Sequence, residues 1–306
     1  MNARAPRPVR VGLAGAGPWA RTVHAPTFAA GPETELAGVW SRTRAHAADL
    51  AAEHGVPACE SFDELLAVSD AVVIAVPPDV QPGLAVRAAE AGKALLLEKP
   101  LAFDVAGAEQ IAAAVRRAGV GSMMLLTYRY AQVVRDFLEE AAKFAAYGGR
   151  AAFLSGAFLG GAFAGGWRLE RGVLVDVGPH ILDLVDAALG EITHVTGRGD
   201  PATWVSLVLQ HATGAVSDVA ISCRAAIRPS RTDVEIFGPG GSLSVDARSG
   251  PREQSFARLR AELADVARGA RHPCDAERGL HLQRVVEAAE RSLTASGVVE
   301  VTRDVS

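Results

Sequence analysis

The sequence predicts two domains of different texture: an α/β domain with a doubly wound parallel sheet, then an α+β domain with a mainly antiparallel sheet that is wet on one face. Three observations carry this. From Val9 to about residue 127, short apolar runs alternate with helical stretches, the pattern of a parallel sheet covered on both faces. The first apolar run ends in Gly15-Ala16-Gly17, a tight-turn signal. After residue 128 the runs become alternating and rich in Val, Thr and Ser, as in antiparallel sheets with one solvated face.

The elements follow in order. Val9–Ala14 is a buried strand, and residues 18–30 fit a helix with Pro18 tolerated in its first turn. Residues 35–40 form a second strand and 42–53 an Ala-rich helix. Residues 71–76 form a strand halted by Pro77-Pro78, and 80–91 a helix stopped by Gly92. Ala94–Leu97 is a strand, and 104–118 a helix with Asp104 as its cap. Residues 121–127 form the last strand of the first domain. In the second domain, 132–146 is a helix, and strands are expected at 151–158, 193–197, 204–210, 215–224 and 232–237. Helices are expected at 179–189 and 276–296.

The 306 residues are 49% hydrophobic and 22% charged, with a net charge of −4. That balance provides no bulk attraction to nucleic acid or anionic membranes. No apolar stretch is long enough to span a bilayer, and the basic start lacks the apolar core of a secretory signal, so it reads as a disordered lead-in. Cys59, Cys223 and Cys274 lack metal or redox spacing, which suggests a reducing, cytoplasmic setting and no metal site.

Gly15-Ala16-Gly17-Pro18-Trp19-Ala20 fits G-x-G-x-x-G/A between a strand and a helix, the context of a Rossmann dinucleotide site. Gly15 makes the turn and Gly17 lets a pyrophosphate approach the backbone. Pro18 and Trp19 open the helix beside the phosphates. The second strand ends in Ser41-Arg42-Thr43-Arg44 with no carboxylate for a ribose 2′-hydroxyl, and Ser41 lies 21 positions past Ala20. Arg suits planar recognition of a 2′-phosphate, so NADP is preferred and NAD is the alternative. At the end of an apolar strand, Leu97-Glu98-Lys99-Pro100 delivers a carboxylate and an ammonium to the sheet's ligand-binding edge. A cis bond before Pro100 is one way to set that turn. Asp176 and His180 stand four apart near a helix start, a spacing that shares one face if the turn is helical.

Together the glycine turn, Ala75-Val76-Pro77-Pro78, Glu98-Lys99-Pro100 and the block from Gly172 through Asp176 and His180 to Asp183 resemble the glucose-fructose oxidoreductase / inositol dehydrogenase / rhizopine-catabolism family. The resemblance spans nearly the whole chain, including Gly238–Gly241 and Ser292–Gly297. It implies a Rossmann domain (residues 1–127) and an α+β substrate and oligomerisation domain (128–306) whose open-faced sheet joins a homo-oligomer. The last helix is expected to pack back on the first domain. It also implies NAD(P)-dependent oxidation or reduction of a sugar, nucleotide sugar or cyclitol, with Lys99, Asp176 and His180 as the catalytic set. Ala75, Pro77, Glu98, Lys99, Arg129, Trp167 and Arg168 then join Gly15, Gly17, Pro18, Trp19, Ser41 and Arg42 around the cofactor. A positive helix N-terminus favours a neutral His180, the form of a proton acceptor. Lys99 would hold the substrate oxygen, although the roles of Lys99 and His180 can be exchanged. Three departures stand out: Gln81 replaces a frequent histidine, Thr127-Tyr128-Arg129 lacks an asparagine before the arginine, and the span from Gly156 to Gly172 is short. His24 is assigned to packing and Asp183 to a helix face. Two other readings compete: a non-catalytic NAD(P)-binding regulator on the same scaffold, and a dehydrogenase of dihydrodiols or tetrapyrroles.

Overall fold

The computed structural model describes residues 7–161 and 164–302; of the expected lead-in, Met1 to Pro8, residues 1–6 lie outside them. The chain divides into two compact units. One runs to Leu125 and includes Phe256–Leu280; the other comprises Leu126–Ser255 and the residues from His281 onward.

In the first unit, β1 (Val9–Ala14), β2 (Thr34–Trp40), β3 (Ala71–Ile74), β4 (Ala94–Leu97) and β5 (Ser122–Met124) form a parallel sheet in the order β2-β1-β3-β4-β5. The central strands β3 and β4 are apolar and buried throughout, as expected where both faces of a sheet are covered. Asp70 ties the sheet's entry together: one oxygen accepts from the Arg10 backbone N–H at 3.0 Å and the other from the Arg10 guanidinium at 2.8 Å. These bonds hold its carboxyl well below the usual range. The first helix departs from expectation. A π-helical turn, Ala20–His24, precedes α1 (Ala25–Ala29), because the Pro26 ring has no N–H and would crowd the carbonyl four residues back in a regular helix.

The remaining helices of this unit start at α2 (Arg44–His54) and α3 (Phe62–Val68). The latter is absent from the sequence expectation, yet Ser61 caps it by accepting from the Glu64 N–H at 3.1 Å. Then come α4 (Gln81–Glu90) and α5 (Val105–Ala118), the latter capped by Asp104 as expected.

In the second unit, a 3₁₀ turn (Thr127–Tyr130) leads to α6 (Gln132–Ala141), β6 (Gly148–Leu154), α7 (Trp167–Asp176) and α8 (Gly178–Leu189). The sheet continues with β7 (Ile192–Asp200), β8 (Trp204–His211), β9 (Val216–Ser222), β10 (Arg231–Gly238) and β11 (Gly241–Asp246). The chain passes from the second unit to the first within α9 (Arg252–Ala267) and back within α10 (Ala276–Ala295), and β12 (Val298–Glu300) completes the sheet. Its order is β11-β10-β6-β9-β8-β7-β12, antiparallel except for the parallel β6–β9 pair. β8 alternates exposed and buried residues strictly, and α8 packs on the inner face. The outer face carries Trp204, Val208 and Val216, all exposed. Among the described residues, no helix is long and apolar enough to cross a membrane.

His211 has an Nδ1 contact of 2.6 Å with the Gly190 carbonyl and an Nε2 contact of 2.9 Å with the Ser217 hydroxyl, and burial pushes its pKa below the ordinary 6.5. The unfolded chain therefore binds the proton more readily. Stability contributed by this site is complete above pH 6.5 and declines as pH falls below it. Thermal melts from pH 8 to pH 5 are expected to show this loss, with a shallower dependence in His211→Gln.

Candidate active site

The order β2-β1-β3-β4-β5 reverses direction between β1 and β3, and ligands of such sheets lie at the carboxyl ends beside that switch point. Gly15-Ala16-Gly17 leaves β1 there, and Ala75–Pro78 leaves β3. Gly15 has φ +122°, and a Cβ on it would lie 2.1 Å from the Ala75 carbonyl oxygen. A Cβ on Gly17 would meet nothing within 4 Å. The first glycine therefore serves the backbone crossing. The second is exposed, leaving the space a pyrophosphate requires. Gly15→Ala is expected to cost at least about 2 kcal/mol of stability, read as a lower melting temperature. Gly17→Ala is expected to melt as wild type while weakening nicotinamide-dinucleotide binding at least about tenfold, by titration. Pro18 is exposed and Trp19 half-buried beside the turn.

At the end of β2 the Ser41 hydroxyl donates to the Thr43 carbonyl at 2.7 Å. It would have to turn away from Thr43 to donate to a ligand. Arg44 pairs with Glu60. Arg42 is exposed and makes no hydrogen bond or ion pair among the described residues, so it is the available cation at that strand end. The open space at Gly17 fits the pyrophosphate of a nicotinamide dinucleotide.

The turn after β4 is held from two sides. Gln81, at the start of α4 and fully buried, accepts from the Glu98 N–H through Oε1 at 2.8 Å. Its Nε2 donates to the Glu98 carbonyl at 2.8 Å and to the Leu101 carbonyl at 2.9 Å, with a longer reach of 3.3 Å to that of Pro100. One amide thus spans the backbone on both sides of Lys99. His24, delivered by the π-helical turn, places Nε2 2.6 Å from Glu98 Oε1 and stacks on Phe28. Its role in packing is thus accompanied by a bond to the site carboxylate. Lys99 is half-buried, and the Lys99–Pro100 peptide is cis.

The second unit brings its own set together. Gly172 breaks α7 with φ +78°, and a Cβ there would sit 2.6 Å from the Pro201 carbonyl oxygen. Asp176 ends α7 and His180 lies in the first turn of α8, with Val177 between the two helices. The pair therefore straddles a break instead of sharing one continuous helical face. Asp176 is buried and forms an ion pair with Arg168 at 3.3 Å, whose guanidinium covers the Trp167 ring at 4.6 Å. His180 is buried and meets the edge of the Tyr128 ring, with centroids 5.5 Å apart. Asp183 is not a solvated helix-face carboxylate: it is 1% exposed and pairs with Arg129 at 3.3 Å. Asp186 accepts from the Ile192 N–H at 2.8 Å and lies 2.7 Å from His281 Nε2. The structure thus groups Glu98 and Lys99 with Gln81 and His24 in one unit, and groups Asp176 with Arg168 and His180 with Tyr128 in the other.

Among the described residues, no cluster of His, Cys, Asp and Glu has metal-binding geometry. The three cysteines are buried and form no disulfide.

Family-model comparison matches residues 9–125 to an oxidoreductase family with an NAD-binding Rossmann fold. It matches residues 147–244 to the GFO/IDH/MocA C-terminal domain. D-apiose dehydrogenase of Paraburkholderia graminis is 32% identical over 175 residues, 52% of this chain but only 46% of that protein. The dTDP-3,4-didehydro-2,6-dideoxy-alpha-D-glucose 3-reductase of Streptomyces violaceoruber is 28% identical over 272 residues, covering 85% of this chain and 79% of that one. The solved structure of GenD2 from gentamicin A biosynthesis in complex with NAD superposes with a TM-score of 0.85 and 23% identity over 99% of each chain, which establishes the shared fold.

Proposed function

The chain belongs to the GFO/IDH/MocA oxidoreductase family, and on that premise we propose that it interconverts a hydroxyl and a carbonyl on a sugar, nucleotide-sugar or cyclitol-like substrate with NADP(H). The observation that carries the reading is the glycine turn between β1 and β3 together with the braced Lys99 turn on adjacent β4. When bound, the nicotinamide supplies or receives the hydride. Gly15, Gly17, Pro18, Trp19, Ala75 and Pro77 would hold the dinucleotide, with Ser41 and Arg42 at its ribose end. Arg129, Trp167 and Arg168 belong to this proposed cofactor set through the family resemblance.

The chain's own residues handle the proton. In the oxidative direction the carbinol O–H proton passes to His180 as the C–H electron pair leaves the carbon and the carbonyl forms; reduction returns the proton from His180. The Lys99 ammonium opposes negative charge developing on that oxygen, which a fixed cation does best away from water. Asp176 accepts a hydrogen bond from a neighbouring substrate hydroxyl, with Arg168 holding its carboxylate in place. Glu98, fixed by His24 and Gln81, sets the direction in which the next residue, Lys99, leaves the strand. The outer sheet face with Trp204, Val208 and Val216 supports assembly into a homo-oligomer. The three reduced thiols fit a cytoplasmic setting.

A panel of sugars and ketosugars assayed with NADPH and NADH tests the reading. Turnover that disappears in Lys99→Ala and His180→Ala supports it. Tight NADPH binding without turnover on any substrate, indifferent to both substitutions, would show a regulator instead. Arg42→Gln is expected to raise the KM for NADPH about tenfold or more and leave that for NADH unchanged. Equal effects on both cofactors would remove the preference for NADP.

A further inference from the structure

The second unit contains a cavity of about 570 Å³, within the size range of small-molecule sites. Its wall includes Val177, which follows Asp176 and joins α7 to α8. Leu159 and Ile227 supply apolar surface, while Arg228 and Arg248 are the ionisable residues among its described lining; no carboxylate lines it. Arg228 is exposed and has no ion-pair or hydrogen-bond partner among the described residues. Arg248 donates from Nη1 to the Tyr128 hydroxyl at 3.2 Å, and the edge of that ring meets His180. The nearby Asp246 carboxylate accepts from the Arg248 backbone N–H. Two guanidiniums beside an apolar wall match a phosphorylated organic ligand, because planar forks bind phosphate oxygens in pairs.

We propose that this cavity is the subsite for a phosphate or diphosphate group carried by the sugar substrate, with Arg228 and Arg248 as its ligands. The assignment rests on the reading that the second unit receives the substrate. Tyr128 connects the two ends of the arrangement, with its hydroxyl toward Arg248 and its ring toward His180. The phosphoryl group thereby positions the sugar and takes no part in the redox step. A sugar monophosphate and a nucleoside-diphosphate sugar share the required chemistry.

Calorimetric titration of the full-length protein, first saturated with NADPH so that the dinucleotide site is filled, tests this. The probes are glucose 6-phosphate, uridine diphosphate and the neutral sugar glucose. Both phosphorylated probes or one of them should bind, glucose should bind at least about tenfold more weakly, and Arg228→Gln/Arg248→Gln should abolish the difference. NADPH affinity and melting temperature of the double variant should match wild type. Preference for uridine diphosphate identifies a nucleotide sugar, and equal binding a phosphoryl group alone. Phosphorylated probes binding no better than glucose, or binding equally to the double variant, overturn the proposal. Arginine-dependent binding without turnover on any substrate would leave the subsite standing and overturn the catalytic reading.

Discussion

Replacing His180 with alanine is expected to lower kcat by about 10²–10⁴-fold while leaving NADPH affinity unchanged, because proton transfer at the carbinol oxygen loses its positioned partner. Lys99→Ala should fall in the same range through loss of charge stabilisation, and Lys99→Arg should recover only part, since a planar guanidinium does not reproduce a compact ammonium. The pH profile of kcat/KM separates the two roles. If His180 carries the proton, the limb reporting that group vanishes in His180→Ala and persists in Lys99→Ala; the reverse result exchanges their assignments. Wild-type turnover in both variants would remove this machinery from the chemistry.

Gln81→Ala is expected to lower the melting temperature by about 10 °C. The substitution leaves the Glu98 N–H and the carbonyls of Glu98 and Leu101 without their side-chain partner in a buried setting. Such losses cost about 1–3 kcal/mol each, and a total near 3 kcal/mol corresponds to that shift in a unit of this size. At temperatures well below the melt, kcat should also fall about tenfold or more because the Lys99 turn is no longer held, whereas NADPH affinity should hold. Gln81→His retains one donor and one acceptor and should restore much of kcat. A variant that loses stability but keeps kcat would make Gln81 structural alone.

The first domain was legible because its signals are local. The β1 and β4 strands match their expected limits, since an apolar run bounded by a glycine turn or by Glu-Lys-Pro has few other uses. Three helices escaped. The Ser61-to-Glu64 spacing marks the start of α3, and Leu259, Leu263 and Val266 trace a buried stripe on α9, but many charged neighbours mask both. The α7 helix is interrupted at Gly172, so its periodicity never runs for long. The parallel β6–β9 pair was not legible either, because an alternating strand carries no record of its partner's direction.

Within the site, residue identity could be read but not what each residue touches. Gln81 registered only as a departure from a family pattern, and His24 as a packing residue. Only the folded chain brings the first to the backbone around Lys99 and the second to Glu98, across 17 and 74 positions. Asp183 resembles any helical carboxylate until Arg129, 54 positions away, is found against it. By itself the sequence determined the fold class, the glycine turn and the family, because these rest on the chemistry of neighbouring residues. The tertiary structure decided how Lys99 is braced, that Arg228 and Arg248 line one cavity, and which charges are paired. Those depend on long-range approach and burial, which local spacing does not encode.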